Sequence, residues 1–290
     1  MISAALVKEL RDITGAGMMD CKKALVETNG NIEEAVTWLR EKGIMKAAKK
    51  ENRIAAEGVC AYAIAGNKAI VYEVNAETDF VAKNQKFLDY VNEIGHAVLN
   101  SDAKNDEEAL EAKTAEGTVK DLIIAAIATI GEKISLRRVN VFTKTDSQIF
   151  GAYSHMGGRI VVLSVLDGDN AEVAKDICMH VAAMSPKYLD RSKVDADFLA
   201  NETEILRQET LNEGKPENIV DKIVVGKVQK MLKTICLVDQ MFVKNQDITV
   251  GQYAKDNKSN IVTYIRLEVG EGIEKKKDDF AAEVMAAVNN

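Results

Sequence analysis

Histidine, proline and aromatic residues are all scarce in this chain, and each shortage narrows what it can be. Three histidines, His96, His155 and His180, stand far apart among 290 residues. The four cysteines, Cys21, Cys60, Cys178 and Cys236, form no Cys-x-x-Cys pair and have no histidine cluster beside them. Structural zinc and thiol redox chemistry are therefore disfavoured, and buried, reduced thiols are expected. With two prolines, Pro186 and Pro216, and 5% aromatics against 47% hydrophobic residues, helix should dominate over strand. The longest apolar run, Leu122 to Ala128, falls far short of the ~20 residues that span a bilayer. Excess positive charge is also missing. A net charge of -7 argues against broad adhesion to nucleic acid or anionic membranes, which needs concentrated Lys and Arg. The N-terminal MISAALVKELRD brings in Lys8 early and has no long apolar core or Arg-rich presequence, so a cytoplasmic chain is expected.

One basic stretch runs against the overall charge. Arg40 to Arg53, REKGIMKAAKKENR, holds six basic residues against Glu41 and Glu51, with no aromatic interleaved for base stacking. A solvated basic helix and linker accounts for it, with an RNA-binding scaffold using segment 40–53 as the alternative function.

The chain is long enough for about two domains. Residues 1–43 carry a three-helix pattern: Ala5, Leu6 and Ile13, then Cys21, Ala24 and Leu25, then Ile32, Ala35, Val36 and Leu39. Thr14-Gly15-Ala16-Gly17 breaks the first helix, Asn29-Gly30 suits a left-handed cap, and Asn31 with Glu34 fits a capping box. A strand-turn-strand follows, GVCAYAIA, Gly66-Asn67, KAIVYEVN, then a helix over Lys83 to Leu99 with Phe87, Tyr90, Val91, Ile94 and Val98 at helical spacing. The plan returns as FGAYSH, a turn at Met156-Gly157-Gly158, RIVVLSVL and a helix over Ala171 to Met184. Gly58 with Ala61-Tyr62 echoes Gly151-Ala152-Tyr153, as in an internal duplication.

Each hairpin needs a further strand, supplied by Leu136–Phe142 for one sheet and Asn260–Val269 for the other. Residues 191–235 read as an antiparallel helical hairpin, with Phe198, Ile205, Leu206 and Leu211 facing Ile219, Ile223, Val228, Met231 and Leu232. Asp278 to Val288 reads as a short amphipathic helix. The expected class is α+β, with two small antiparallel sheets side by side, each covered by helices. The parts fall at 1–53, 54–143, 144–269 with the hairpin arm at 191–235, and 270–290.

Chemistry is hard to find. There is no Gly-x-x-x-x-Gly-Lys-Ser/Thr loop, no Gly-x-Gly-x-x-Gly and no His-Glu-x-x-His, so the usual phosphate, dinucleotide and zinc-protease sites lack their geometry. His96 and His180 suit structural roles, while His155, before a tight turn, is an exposed contact candidate. Asp167 and Asp169 flank Gly168, and turn chemistry explains them better than a metal. No metal, cofactor or catalytic residue is assigned.

The stretch AETDFVAKN, Ala76 to Asn84, admits two readings. In one, Thr78 caps a helix, Asp79 complements its positive end and Phe80 drops into the core. In the other, an acid beside an aromatic just after a strand makes a tip that intrudes into another protein. Met18-Met19, after a glycine loop, is likewise a docking patch or core filler.

These segments together resemble the bacterial elongation factor Ts family. They are LVKELRDITGAGMMDCKKAL, GNIEEAVTWLREKG, KKENRIAAEG, ETDFVAKN with Phe87, TIGEKISLRRV, SHMGGRIVVLSV, MHVAAMSP and YIRLEVGEGIEK, in order from end to end. The resemblance implies a ubiquitin-associated-like bundle, a two-subdomain core, a helical arm and a C-terminal module. It also implies a guanine-nucleotide exchange factor for elongation factor Tu that is not an enzyme and binds no nucleotide, nucleic acid or membrane itself. By the same resemblance, Asp79 and Phe80 form a wedge near the partner's magnesium site, flanked by Thr78 and Val81. Met19, with the candidate Met18 beside it, belongs to a docking surface, Ile130 and Gly131 face the nucleotide-binding region, and His155 lies in the half that engages the partner's third domain. One departure is Gln240-Met241-Phe242, where the family usually has Gln-Pro-Phe, which puts the exit from the arm in doubt.

Overall fold

The computed structural model describes residues 2–274, so the helix expected over 278–288 lies outside the described residues. Helices α1 (Ala4–Thr14), α2 (Met18–Glu27) and α3 (Ile32–Lys50) lead into strands β1 (Glu57–Ala65) and β2 (Lys68–Ala76). A single turn α4 (Asp79–Ala82), helices α5 (Gln85–Leu99) and α6 (Asp106–Leu110), strands β3 (Lys113–Thr114) and β4 (Gly117–Thr118), helix α7 (Val119–Ile130) and strand β5 (Ser135–Thr143) follow. Next come β6 (Gln148–His155), β7 (Ile160–Asp167), α8 (Ala171–Met184), α9 (Ala196–Asn212), α10 (Glu217–Ile235), β8 (Met241–Phe242), β9 (Asn245–Thr249), α11 (Val250–Asp256) and β10 (Asn260–Glu268).

The expected α+β class and duplication hold. One sheet has the order β1-β2-β5 and the other β10-β7-β6, so in each the added strand lies beside the second strand of the hairpin. In contact terms the chain forms two compact units. Among the described residues, one comprises 2–63, Tyr72–Val141 and 268–274, and the other Ile64–Val71 with Phe142–Leu267. Among the described residues no helix is long and apolar enough to cross a membrane.

In the first unit the bundle packs Val7, Leu10, Cys21, Ala24, Leu25 and Ala35 at its centre. The caps follow the sequence signals. Gly15, at φ 64, donates its N–H to Arg11, Asn29 and Gly30 are both left-handed, and Asn31 accepts from the Glu34 N–H while its amide returns to the Glu34 carboxylate. Two expectations shift. Of the α1 residues expected inside, Ala5 and Ile13 face outward, Ile13 at 55% exposure. The core takes Val7 and Leu10 instead, while Ile13 helps line a cleft of about 570 Å³ with Trp38, Leu39, Leu122 and Ile124.

The third helix also continues past Gly43 to Lys50, so most of the basic stretch is helix rather than linker. A Cβ on Gly43 would lie 3.3 Å from the Ala128 Cβ and 3.5 Å from the Ile124 side chain. The glycine admits α7 at close range and does not break the helix.

Buried Glu73 anchors the same unit. One carboxylate oxygen receives Arg137 Nε at 2.9 Å and Arg138 Nε at 2.7 Å. The other receives the Asn75 amide at 2.8 Å and the Gly270 N–H at 2.7 Å. Arg138 is left-handed, at φ 54. The Asp106 carboxylate holds that bend by accepting from the Arg138 and Val139 N–H groups at 2.9 and 2.6 Å. Charge burial of this kind is tolerated because nearly every acceptor site has a donor.

In the second unit β6 and β7 pair antiparallel from Gln148↔Asp167 to His155↔Ile160. Beneath them lie Val162, Leu166, Ile177, Val181, Leu237 and Phe242, with Phe242 stacked on Tyr253 at 4.2 Å between centroids. The α9/α10 hairpin forms as expected, but its buried stripe is Thr210 with Val220, Val224 and Leu232. Ile205 and Ile219 are 43% and 41% exposed. One residue along a helix is about 100° of rotation, so a one-residue phase error exchanges Val220 for Ile219.

The missing proline at Met241 does not loosen the exit. Gln240 donates its amide to the Thr234 carbonyl at 2.6 Å, bonds His180 Nε2 at 2.9 Å and accepts on its own carbonyl from the Val250 N–H at 2.9 Å. Because His180 Nδ1 accepts from the Val243 N–H at 3.2 Å, the ring proton sits on Nε2 and is donated to Gln240.

Candidate partner-binding site

The stretch between β2 and α5 is built by clasped backbones. Glu132 reaches across 54 and 55 positions to accept from the N–H groups of Thr78 and Glu77, both at 3.0 Å, and from the Thr78 hydroxyl at 2.7 Å. Glu77 reciprocates, accepting from the Lys133 N–H at 2.6 Å and from Arg53 at 3.1 Å. Lys133 Nζ in turn donates to the carbonyls of Glu51 and Arg53 at 2.6 and 2.9 Å, and Lys50 Nζ to that of Gly131 at 2.6 Å. Gly131 ends α7 at φ 90, a conformation glycine adopts freely, and this turns the chain so that Glu132 follows. None of Arg53, Glu77, Glu132 and Lys133 was singled out by residue pattern. Their motifs, ENR, ETDF and GEK, are visible in sequence, but their pairing is not.

On this base stands α4. Thr78 caps it as expected, its hydroxyl oxygen accepting from the Val81 N–H at 3.4 Å. Phe80 does not enter the core: it is 84% exposed, which corrects the core-filling expectation. A four-residue helix has no buried face of its own, so nothing within α4 draws the side chain inward. Asp79 is exposed and paired with Lys83 at 2.7 Å, and the Lys83 hydrogen bond holds its carboxyl below the usual range. It is therefore ionised at neutral pH. Val81 is half-buried.

Other expected site residues of this unit lie on linked elements. Ile130, half-buried, and Gly131 immediately precede Glu132. Met18 and Met19 open α2 at 45% and 75% exposure, and the loop before them is tied to α5 by Lys86 Nζ donating to the Gly15 carbonyl at 3.2 Å. His155 belongs to the second unit, where it is exposed and its Nδ1 lies 3.1 Å from the Tyr153 hydroxyl.

The remaining candidates have structural explanations. His96 is an exposed residue of α5, and His180 is fully buried with both ring nitrogens bonded. Asp167 accepts from Gln148 at 2.9 Å and Asn260 at 3.3 Å. All four cysteines are free and buried, and burial pushes the Cys60 and Cys178 thiols up to about 12. Among the described residues no group of three or more His, Cys, Asp or Glu is placed to hold a metal.

A family model described as Elongation factor TS matches residues 77–271, more than half of the chain. Over 293 aligned positions, covering 99% of both chains, the sequence is 56% identical to the elongation factor Ts of Acholeplasma laidlawii (strain PG-8A). The chain belongs to the elongation factor Ts family. As a member of that family it belongs among the factors of translation elongation. The family match opens on Glu77 and closes on Glu271. In this chain these are a glutamate of the clasp and a carboxylate bonded to Arg138 at 2.8 Å.

Proposed function

We propose that this chain is a cytoplasmic guanine-nucleotide exchange factor that binds elongation factor Tu and releases GDP by pressing Asp79 and Phe80 against its magnesium and phosphate site. One observation carries the reading: Phe80 is 84% exposed on a turn held by charged hydrogen bonds beneath it. A large apolar side chain held out in water is poor economy for an isolated protein and good preparation for burial in another.

A P-loop GTPase holds its nucleotide through backbone donors, a Lys and Mg²⁺ in near-octahedral geometry, so small displacements loosen it. A thousandfold faster release needs about 4 kcal/mol off the barrier, and burying one Phe supplies roughly 1.5–3 kcal/mol. Docking must supply the rest. Segment 1–53, with Met18 and Met19, takes the partner's GTPase domain. Segment 54–143 carries the wedge, with Thr78 and Val81 framing it and Ile130 and Gly131 beside the nucleotide region. Segment 144–269, with His155, takes the third domain. No bond is made or broken, so no acid, base or cofactor is required. Linkage adds that nucleotide must weaken binding of this chain by the factor by which the chain weakens nucleotide.

The RNA-scaffold alternative loses ground to the contacts already made. Arg40 pairs with Asp121 at 2.8 Å, Lys46 with Asp20 at 2.9 Å, and Arg53 with Glu77 at 3.1 Å. The deciding experiment is release of fluorescent GDP from elongation factor Tu at increasing concentrations of the full chain. Release should accelerate and saturate, and an unchanged off-rate at saturating dose refutes the proposal.

A further inference from the structure

We propose that Glu132 is the positioning residue of the exchange reaction, aiming Phe80 through the backbone without touching the partner. This inference rests on the wedge reading above. Three observations converge on it. Glu132 directs both carboxylate oxygens at one short stretch, taking the N–H groups of Glu77 and Thr78 and the Thr78 hydroxyl. The stretch answers in kind, Glu77 accepting from the N–H of Lys133, the residue after Glu132, so the two segments fix each other's backbones. Phe80 lies two residues beyond the last clasped amide, on a helix of one turn, too short to hold its own direction by cooperative hydrogen bonding.

The geometry separates aiming from folding. Glu132 is half-buried and follows the left-handed Gly131, at φ 90. Its acceptors go to a surface turn and to no buried group. Losing them frees the turn while β2 and α5, on either side, keep their own cores in Tyr72, Val74, Phe87 and Val91. A wedge that must be ordered at the moment of contact spends binding energy on ordering that a pre-aimed one directs at the partner's nucleotide site. The loss should therefore appear in the release rate at saturation more than in the concentration needed to reach it.

The test uses the full-length chain, elongation factor Tu loaded with fluorescent GDP, and the variants Glu132→Ala, Phe80→Ala and their double. Glu132→Ala should lower the saturating release rate roughly tenfold and leave the half-saturating concentration nearly unchanged. In the Phe80→Ala background it should lower the rate no further, because there is then nothing to aim. Amide exchange of Glu77 and Thr78 in the free protein should quicken in Glu132→Ala. An unchanged saturating rate, or an equal additional loss in the Phe80→Ala background, overturns the inference. If Phe80→Ala itself leaves release unchanged, the wedge reading fails; if Phe80→Ala slows release and Glu132→Ala does not, only the aiming role fails. Should Glu132→Ala lose its native circular dichroism, Glu132→Asp, which keeps the charge but withdraws it by one methylene, carries the same test.

Discussion

Truncating Phe80 to alanine should separate stability from exchange more cleanly than any other single change. The side chain is 84% exposed, so in the free protein its removal gives up almost no buried area, and the cost to folding should stay under about 0.5 kcal/mol. Against the partner, that exposed share is what remains to be buried. Scaling the roughly 1.5–3 kcal/mol for burying a whole Phe by that fraction gives about 1.3–2.5 kcal/mol, or about 9- to 70-fold in rate at 1.36 kcal/mol per decade. The assay is stopped-flow release of fluorescent GDP at saturating factor, with urea denaturation followed by circular dichroism as control. Phe80→Leu should recover most of the loss, because apolar area rather than a ring-specific contact is invoked. Wild-type release from a folded Phe80→Ala protein would refute the reasoning. A loss far beyond a hundredfold would show that burial is the wrong term.

Three further outcomes follow from packing and titration. A Cβ on Gly95 would overlap the Tyr72 hydroxyl and come within 2.7 Å of its Cζ, displacing a buried ring whose hydroxyl donates to the Val91 carbonyl at 2.9 Å. Gly95→Ala should cost about 3 kcal/mol by urea denaturation, partly recovered in a Tyr72→Phe background. Burial lowers the His180 pKa, against the raising effect of its Gln240 hydrogen bond. The unfolded chain therefore takes up a proton at about pH 6.5 while the folded one resists. Stability present above that pH should fall as acid is added toward the folded pKa, and His180→Gln, measured by denaturation between about pH 5 and 8, should flatten that part of the profile. Gln240 has φ -67 and ψ 143, an extended conformation that a following proline favours. Met241→Pro should therefore leave stability within about 1 kcal/mol of wild type, and a larger fall in the urea midpoint would show that the Met241 amide is needed in the β8–β9 pairing.

Sequence patterns exposed what is decided locally. The two hairpins announced themselves through Gly66-Asn67 and Met156-Gly157-Gly158, and the helix ends through Asn31, Thr78 and Gly15. What resisted was decided at a distance. Thr78-Asp79-Phe80 reads the same whether Phe80 is buried or exposed, because the choice is made by Glu132, 54 positions away from Thr78. Gly43 looks like a stop because a helical glycine costs about 1 kcal/mol, and only the approach of Ala128 and Ile124 shows why it stays. Ile13 and Ile219 were misplaced by helix phase, which hydrophobicity alone fixes poorly when neighbouring residues are also apolar. The family resemblance pointed to Asp79 and Phe80 as the proposed wedge, but the clasp beneath them is legible only in the folded chain.

The grip on Glu73 has a consequence for how the molecule is born. The Gly270 amide that completes its shell comes from 197 residues downstream, and the Glu268 carbonyl taken by Arg138 comes from 130 residues downstream. At about 5–20 residues per second, the ribosome exposes Arg138 roughly 7–26 s before its last partners exist. During that interval the charged centre of the first unit lacks the Gly270 donor and the Glu268 acceptor while most of the second unit is made. A chain stalled or clipped before Glu268 should thus keep Glu73 and Arg138 buried without the Gly270 donor and the Glu268 acceptor, and an incompletely paired buried charge is strongly destabilising.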